Sequence, residues 1–307
     1  MYCEPMTENM FPAFFTESIN RQYGAEISAQ ILSGMQQPRC TSLRVNALRA
    51  SIESVTAALE TAGLTFEKLP WYGSAFLLPA GSETALRSLP LYESGGFYMQ
   101  SLSAMLPPLV LAPQAGADVL DMAAAPGGKT AQMAAMTANK ANITAVEVNA
   151  IRAERLRHNL QKQGASRVNV MVRDGRKLED FFRFDQILLD APCSGSGTML
   201  LSGPTGIRAF SEKLVRNSAA IQVQLLRKAL SLLKKGGTLV YSTCSILEAE
   251  NEAVVRSALK GSSAHLEPIN LSGLNDLPTL PVSLEGTLCV RPTKLYEGFF
   301  IAKFRNT

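Results

Sequence analysis

The stretch ADVLDMAAAPGGKTAQMAAMTAN, Ala117–Asn139, decides the fold. A near-continuous apolar run of strand length meets a Pro-Gly-Gly turn at residues 126–128, and a small-residue stretch of helical composition follows. A strand without polar alternation belongs inside a parallel sheet covered by helices on both faces. The turn resembles a phosphate-binding P-loop, G-x-x-x-x-G-K-[ST], but the first glycine of that pattern would fall on Ala123. Gly127 and Gly128 still allow a backbone to approach a ligand closely at a helix start.

The same alternation continues downstream. NITAVEV (142–148), VNVMVRD (168–174), DQILLDAP (185–192) and TLVYSTC (238–244) read as strands. The helical segments are AIRAERLRHNLQKQG (150–164), residues 212–237 and ILEAENEAVVRSALKG (246–261). GTLCVRP (286–292) and EGFFIAKFR (297–305) close the chain as an antiparallel pair with no helix between them. Upstream the pattern differs. TSLRVNAL, SIESVTAALETAG, LTFEKLPWY and SAFLLPA give strand, helix, strand, strand, a small α+β unit preceded by a helical lead-in over residues 8–35. The expected division is therefore 1–92 and 93–307, which suits a chain of 307 residues at roughly 150 residues per domain.

In doubly wound sheets, ligands sit beyond the carboxyl ends of the strands. The first strand ends in the small-residue turn. The second ends in Glu147, about 20 residues after the glycines, the distance at which an acid receives a ribose hydroxyl pair. The third ends in Asp174-Gly175, suited to an adenine amino group. The three ends together favour an adenosine-type ligand without a pyrophosphate. The competing reading makes Glu147 and Asp174 helix N-caps or loop acids.

The fourth strand ends in DAPCSGSGT, with Asp190, Pro192 and Cys193, and the fifth in YSTCS, with Thr243 and Cys244. With strand four between strands one and five, both cysteines and Asp190 converge on one cleft. Buried cysteines are usually inert, but these stand among Ser and Gly at loop starts, where a thiolate is a strong soft nucleophile.

FYMQSLSAM, AAAPGGKT, ILLDAPCSGSGT and YSTCSILEAENE, in this order, resemble the motifs of the Nol1/Nop2/Sun family of RNA cytosine carbon-5 methyltransferases. SLRVN and EGFFIAKFR extend the resemblance over most of the chain, nearest to the catalytic core of the RsmF-type 16S ribosomal RNA methyltransferases. It implies an α/β class I methyltransferase fold, a Rossmann-like, mostly parallel seven-stranded sheet with a small N-terminal RRM-like RNA-binding domain. It also implies S-adenosyl-L-methionine as cofactor. Ala123, Ala124, Ala125, Pro126, Gly127, Gly128 and Lys129 would surround its methionine part, Glu147 its ribose and Asp174 its adenine, with Arg152 in support. Asp190 would lie near both cofactor and base, Cys244 would be the nucleophile and Cys193 its helper. The segment MLLSGPTGIRAFSE (199–212) is less basic than its counterpart in the family.

Composition narrows the alternatives. Two histidines, and five cysteines at positions 3, 40, 193, 244 and 289 with no C-x-x-C pair, argue against a metal site or a disulfide framework. Neither a membrane span nor a secretory signal is legible, so a cytoplasmic protein, monomeric and without metal, is expected. The net charge of +4 is compatible with RNA as partner, ribosomal before transfer RNA. Trp71 and Tyr72 are candidates for base stacking, and Arg39, Arg44, Arg49 and Lys68 for phosphate contact. A DNA cytosine methyltransferase, with Cys193 as nucleophile, would leave Cys244 without a role. A non-catalytic RNA-binding or assembly factor is the alternative of a different class.

Overall fold

The computed structural model describes residues 11–199, 207, 210–270, 273–274 and 276–307. Most of the segment 199–212 singled out for its low basicity lies outside the described residues, as does Cys3.

The first described element is α1 (Ala13–Gln36), bent at Gly24, where φ is +79°. Phe15, Ile19 and Tyr23 recur at helical spacing before the bend, Ile31 and Met35 after it, and all are buried. They join the core of the large domain, not of the small one. The Tyr23 hydroxyl donates to the Ile246 carbonyl at 2.6 Å, and Gln22 Oε1 accepts from the Glu248 N–H at 3.0 Å. The lead-in helix thus braces the segment that follows Cys244.

The small domain has the order β1 (Thr41–Val45), α2 (Ile52–Thr61), β2 (Glu67–Leu69), β3 (Tyr72–Leu78), two short helices α3 (Glu83–Arg87) and α4 (Pro90–Glu93), and β4 (Phe97–Met99). Ser51 starts α2 through a reciprocal capping box with Ser54. Its sheet runs β2-β3-β1-β4, entirely antiparallel. The fourth strand lies past the expected division at 92. Alternation along the strands sends Leu43, Val45, Phe76 and Phe97 to α2. It sends Arg44 and its cross-strand partners Ala75 and Tyr98 to the other face. That face does not lie open, as an RNA-binding sheet would need. Ala75 and Leu77 join the core of the large domain, and Arg44 is fully buried with Nη2 3.5 Å from the Gly128 carbonyl. Arg44 therefore cannot reach a phosphate. Trp71 donates to the Tyr296 hydroxyl at 3.1 Å, which ties it to the large domain too.

The large domain begins with α5 (Leu102–Leu111), followed by β5 (Asp118–Asp121), α6 (Gly128–Met136), β6 (Asn142–Glu147), α7 (Ala150–Gln163) and β7 (Val168–Val172). After these come β8 (Phe184–Asp190), α8 (Glu212–Leu232), β9 (Leu233–Thr243) and α9 (Glu252–Leu259). The last four strands are β10 (Ala264–Leu266), β11 (Thr279–Leu280), β12 (Leu288–Val290) and β13 (Phe299–Asn306). The sheet path is β11-β12-β13-β9-β8-β5-β6-β7, parallel from β9 to β7, with β10 paired to β13. Seven of these nine strands are the expected ones. The short strands β10 and β11 add to the antiparallel end, where their three- and two-residue lengths leave no periodicity to read. Among the described residues no helix is long and apolar enough to cross a membrane.

Candidate active site

The sheet order puts β8 between β5 and β9, so the cysteine-bearing ends are neighbours. Asp190 and Ser242 are paired in register, and the Ala191 N–H donates to the Ser242 carbonyl at 2.8 Å. Three residues beyond one and two beyond the other, Cys193 Sγ and Cys244 Sγ lie 3.0 Å apart, both thiols free and half-buried. Two glycines allow the loops to close. The Gly197 N–H donates to the Cys244 carbonyl at 2.9 Å, and the Gly298 N–H to the Gly197 carbonyl at 3.1 Å. A Cβ on Gly197 would stand 2.2 Å from the Gly298 carbonyl oxygen. The hydrogen bond to Cys244, burial, and the Cys244 and Glu250 charges push the Cys193 thiol well above the ordinary range.

A cleft of ≈ 350 Å³ runs from the two cysteines along the strand ends, past Asp190, Ala123 and Ala125, to Glu147, Arg152 and Asp174. A second cavity of ≈ 220 Å³ lies on the far side of the Ala124–Lys129 turn, bordered by Tyr98, Gln100 and Asp121. The expected cofactor residues are thus divided. Ala124, Pro126, Gly128 and Lys129 face the second cavity, while Ala123, Ala125 and Asp190 border both. Gly127 borders neither. Its φ of +107° forms the left-handed start of α6, and a Cβ there would meet Leu156 at 2.8 Å. A Cβ on Gly128 would meet the Tyr98 ring at 2.8 Å. Both glycines therefore make room for protein neighbours.

Glu147 is nearly fully buried. It is not a helix cap, because Asn149 caps α7. Its Oε1 accepts from the Asn149 N–H at 2.9 Å, and its Oε2 is 3.5 Å from Arg152 Nη1. Arg152 Nη2 also donates to the Ala125 carbonyl at 2.8 Å, linking the two strand ends. Asp174 differs: it caps the turn Gly175–Lys177 and pairs with Arg176 at 2.7 Å, while still lining the cleft. The Arg176 hydrogen bonds hold its carboxyl below the usual range.

Asp190 is engaged on both oxygens, by Lys129 Nζ at 2.7 Å and the Ser242 hydroxyl at 2.7 Å. Behind it Asp121 is buried, accepts from the Thr130 hydroxyl at 2.6 Å, and is pushed up to about 6 by burial. Sequence reading passed over Asp121, Ser242, Gln100 and Glu250. Glu250 lies inside the quoted YSTCSILEAENE, where nothing in the local pattern marks it, yet it is fully buried. Among the described residues, no group of His, Cys, Asp and Glu is arranged to hold a metal ion.

Comparison with known proteins gives the family. Residues 108–305 match the family described as 16S rRNA methyltransferase RsmB/F, and residues 11–84 match the ferredoxin-like domain of RsmF/B-like methyltransferases. Ribosomal RNA small subunit methyltransferase F of Cronobacter sakazakii is 37% identical over 284 residues, covering 90% of this chain and 59% of that protein. Its counterpart in Shewanella oneidensis is 35% identical over 300 residues, covering 95% and 63%. The chain therefore spans less than two thirds of the length of these relatives. A crystal structure titled as a methyltransferase homolog protein from Pyrococcus horikoshii aligns with a TM-score of 0.83 at 32% identity, covering 98% of this chain and 100% of that one. NSun6 from the same organism, at 24% identity and TM-score 0.87 with 97% and 98% of the two chains covered, shares the fold. With a cysteine pair on adjoining strand ends and a family match along most of its length, the chain belongs to the RsmB/F family of 16S rRNA methyltransferases.

Proposed function

We propose that the protein uses S-adenosyl-L-methionine to methylate carbon 5 of a cytosine in RNA through a covalent cysteine adduct, with 16S ribosomal RNA as the substrate. The observation that carries the reading is the Cys193–Cys244 pair, 3.0 Å apart, opening into the cleft that ends at Glu147. The cleft suits the cofactor. Its volume is in the small-ligand range of roughly 300–1,000 Å³, and Val148 and Ile221 give it apolar walls. Each Glu147 oxygen has one protein neighbour and keeps a lone pair for a ribose diol. Asp174, beside Arg176, offers a carboxylate edge to an adenine amino group. The bound cofactor would supply an electrophilic methyl group.

Carbon 5 of cytosine is a poor nucleophile. Attack by the Cys244 thiolate on carbon 6 forms a C–S bond and moves the ring π electrons to carbon 5, which takes the methyl group. The Lys129–Asp190 pair, with Asp190 on both cavities and Lys129 on the second, can hydrogen-bond ring N3 and the exocyclic amine as charge shifts there. Release requires that the carbon-5 proton leave and the C–S bond break. Cys193, held in its thiol form beside Cys244, is the helper for that step: it can hand its proton to the Cys244 sulfur as the C–S electron pair returns there, and the thiolate this leaves can take the carbon-5 proton. The target base has to be unstacked or already single-stranded to enter the cleft.

One denaturing gel tests the assignment. Cys193→Ala should accumulate a protein–RNA species in the presence of cofactor and unmethylated 16S RNA, and Cys244→Ala should give none. The reverse pattern would make Cys193 the nucleophile. Absence of the species from both variants and from wild type would remove the covalent mechanism.

A further inference from the structure

Neither sulfur is positioned by its own side chain alone; each sits on a loop, and one buried carboxylate holds both loops. Glu250 Oε1 accepts from the Ser194 N–H at 2.7 Å and from Gln222 Nε2 at 3.3 Å. Its Oε2 accepts from the Ser194 hydroxyl at 2.5 Å and the Ser245 hydroxyl at 2.7 Å. Ser194 follows Cys193 and Ser245 follows Cys244. Gln222 Nε2 also donates to the Pro192 carbonyl at 2.9 Å, on the other side of Cys193. We propose that Glu250 is a positioning residue whose single carboxylate locks the Cys193 loop to the Cys244 loop and so sets the two thiols against each other.

The chemistry of the donors fits this role. Glu250 is fully buried and, among the described residues, has no basic side chain at ion-pair distance. Burying such a charge is tolerated only when hydrogen bonds replace its hydration. Here the four donors come from three residues, Ser194, Gln222 and Ser245, two of which adjoin a cysteine. Asn251 completes the grip around Cys244: its Oδ1 accepts from the Thr243 hydroxyl at 2.6 Å, and its Nδ2 donates to the Ser245 carbonyl at 2.9 Å. The negative charge also acts on the pair, because it helps keep the proton on Cys193. The consequence for catalysis rests on the reading above, in which Cys244 attacks and Cys193 assists release.

Two variants separate reach from charge. Glu250→Gln keeps the length and one acceptor, and the serine hydroxyls can turn to accept from its amide. Glu250→Asp keeps the charge but is one methylene too short to hold both loops. Iodoacetamide alkylation of the whole chain without RNA is read by peptide mass spectrometry at Cys193 and Cys244 as a rate at about pH 8, where the raised Cys193 thiol reacts only through a small thiolate fraction. Glu250→Gln should raise the Cys193 alkylation rate by about tenfold as that fraction grows. Glu250→Asp should change the alkylation rate of both cysteines by about tenfold as the pair comes apart. Cofactor affinity, measured by calorimetry, should be unchanged in both and serves as the check on folding. If Glu250→Asp does not fold, Glu250→Gln carries the test alone. Wild-type alkylation profiles in the folded variants would overturn the proposal. In parallel, 16S RNA transcribed with 5-fluorocytidine should trap wild type, because carbon 5 then has no proton to lose. Failure of wild type to be trapped would count against the proposed function and leave the alkylation result standing.

Discussion

Lys129 Nζ lies 2.7 Å from Asp190 Oδ2, where the cofactor-sized cleft and the second cavity meet. Burial pulls the Lys129 ammonium down, but Asp190, with Asp121 and Cys244 behind it, more than offsets this and leaves it above its ordinary value. The lysine is therefore a fixed positive charge at neutral pH, and in the proposed reaction it would face the base as electron density builds there. Lys129→Met should cut methyl transfer by about 10²–10³-fold and leave cofactor affinity within about threefold. Filter-binding of labelled methyl groups and calorimetry check the two. An equal loss of affinity and rate would assign Lys129 to cofactor binding instead.

Asp121 makes stability depend on pH in the direction opposite to most carboxylates. Burial raises it from 3.8 in the unfolded chain to about 6 in the folded protein. The folded state therefore binds more protons than the unfolded one between those values. The stability due to the neutral carboxyl is complete below the unfolded value and lost as pH rises through the folded one. The loss amounts to roughly 3 kcal/mol between about pH 4 and pH 7. Asp121→Asn keeps an acceptor for the Thr130 hydroxyl and removes the titration. Urea unfolding of both proteins at the two pH values should show a decline in wild type that is smaller by that amount in the variant. Parallel curves would contradict the assignment.

Glu147→Ala should weaken cofactor binding by about ten- to a hundredfold, the worth of a charge-assisted hydrogen-bond pair. It also leaves Arg152 with only the Ala125 carbonyl, so Arg152→Met should cost less than Glu147→Ala. Calorimetry on both variants orders the two effects. Unchanged affinity in Glu147→Ala would place the ribose elsewhere.

Arg44 is buried between the two domains, so it should contribute nothing to phosphate binding. In Arg44→Met the slope of log affinity against log salt for RNA should equal that of wild type, whereas loss of one phosphate contact would lower it by about 0.7–0.9. Stability should change little, because Nη1 already lacks a partner and a methionine of similar length fills the space. Arg44→Ala should instead lose about 2–5 kcal/mol through the cavity it leaves. A reduced salt slope in Arg44→Met would mean that RNA reaches the interior face of the small sheet.

The sequence by itself determined the order of strands and helices, the strand ends and the residue types carried on them. Those properties are local: near-continuous apolar runs such as Val119–Ala125 with its Pro-Gly-Gly turn, capping residues such as Ser51 and Asn149, and the antiparallel closing pair β12–β13. The convergence of Cys193 and Cys244 followed from sheet order alone, since neighbouring parallel strands bring their ends together. Only the tertiary structure decided which side chains lost water. In the sequence Arg44 is a candidate phosphate contact and Glu250 goes unmarked, because nothing in their local pattern records what packs over them. Arg44 is buried because the two domains meet on that sheet face, and Glu250 because two loops distant in sequence turn their donors toward it. Asp174 and Glu147 looked equivalent as strand-end acids. They differ in the fold, where Arg176 pairs with Asp174 while Glu147 is buried at the end of the cleft. Burial and pairing are sums over contacts far apart in the chain, and those contacts exist only once it has folded.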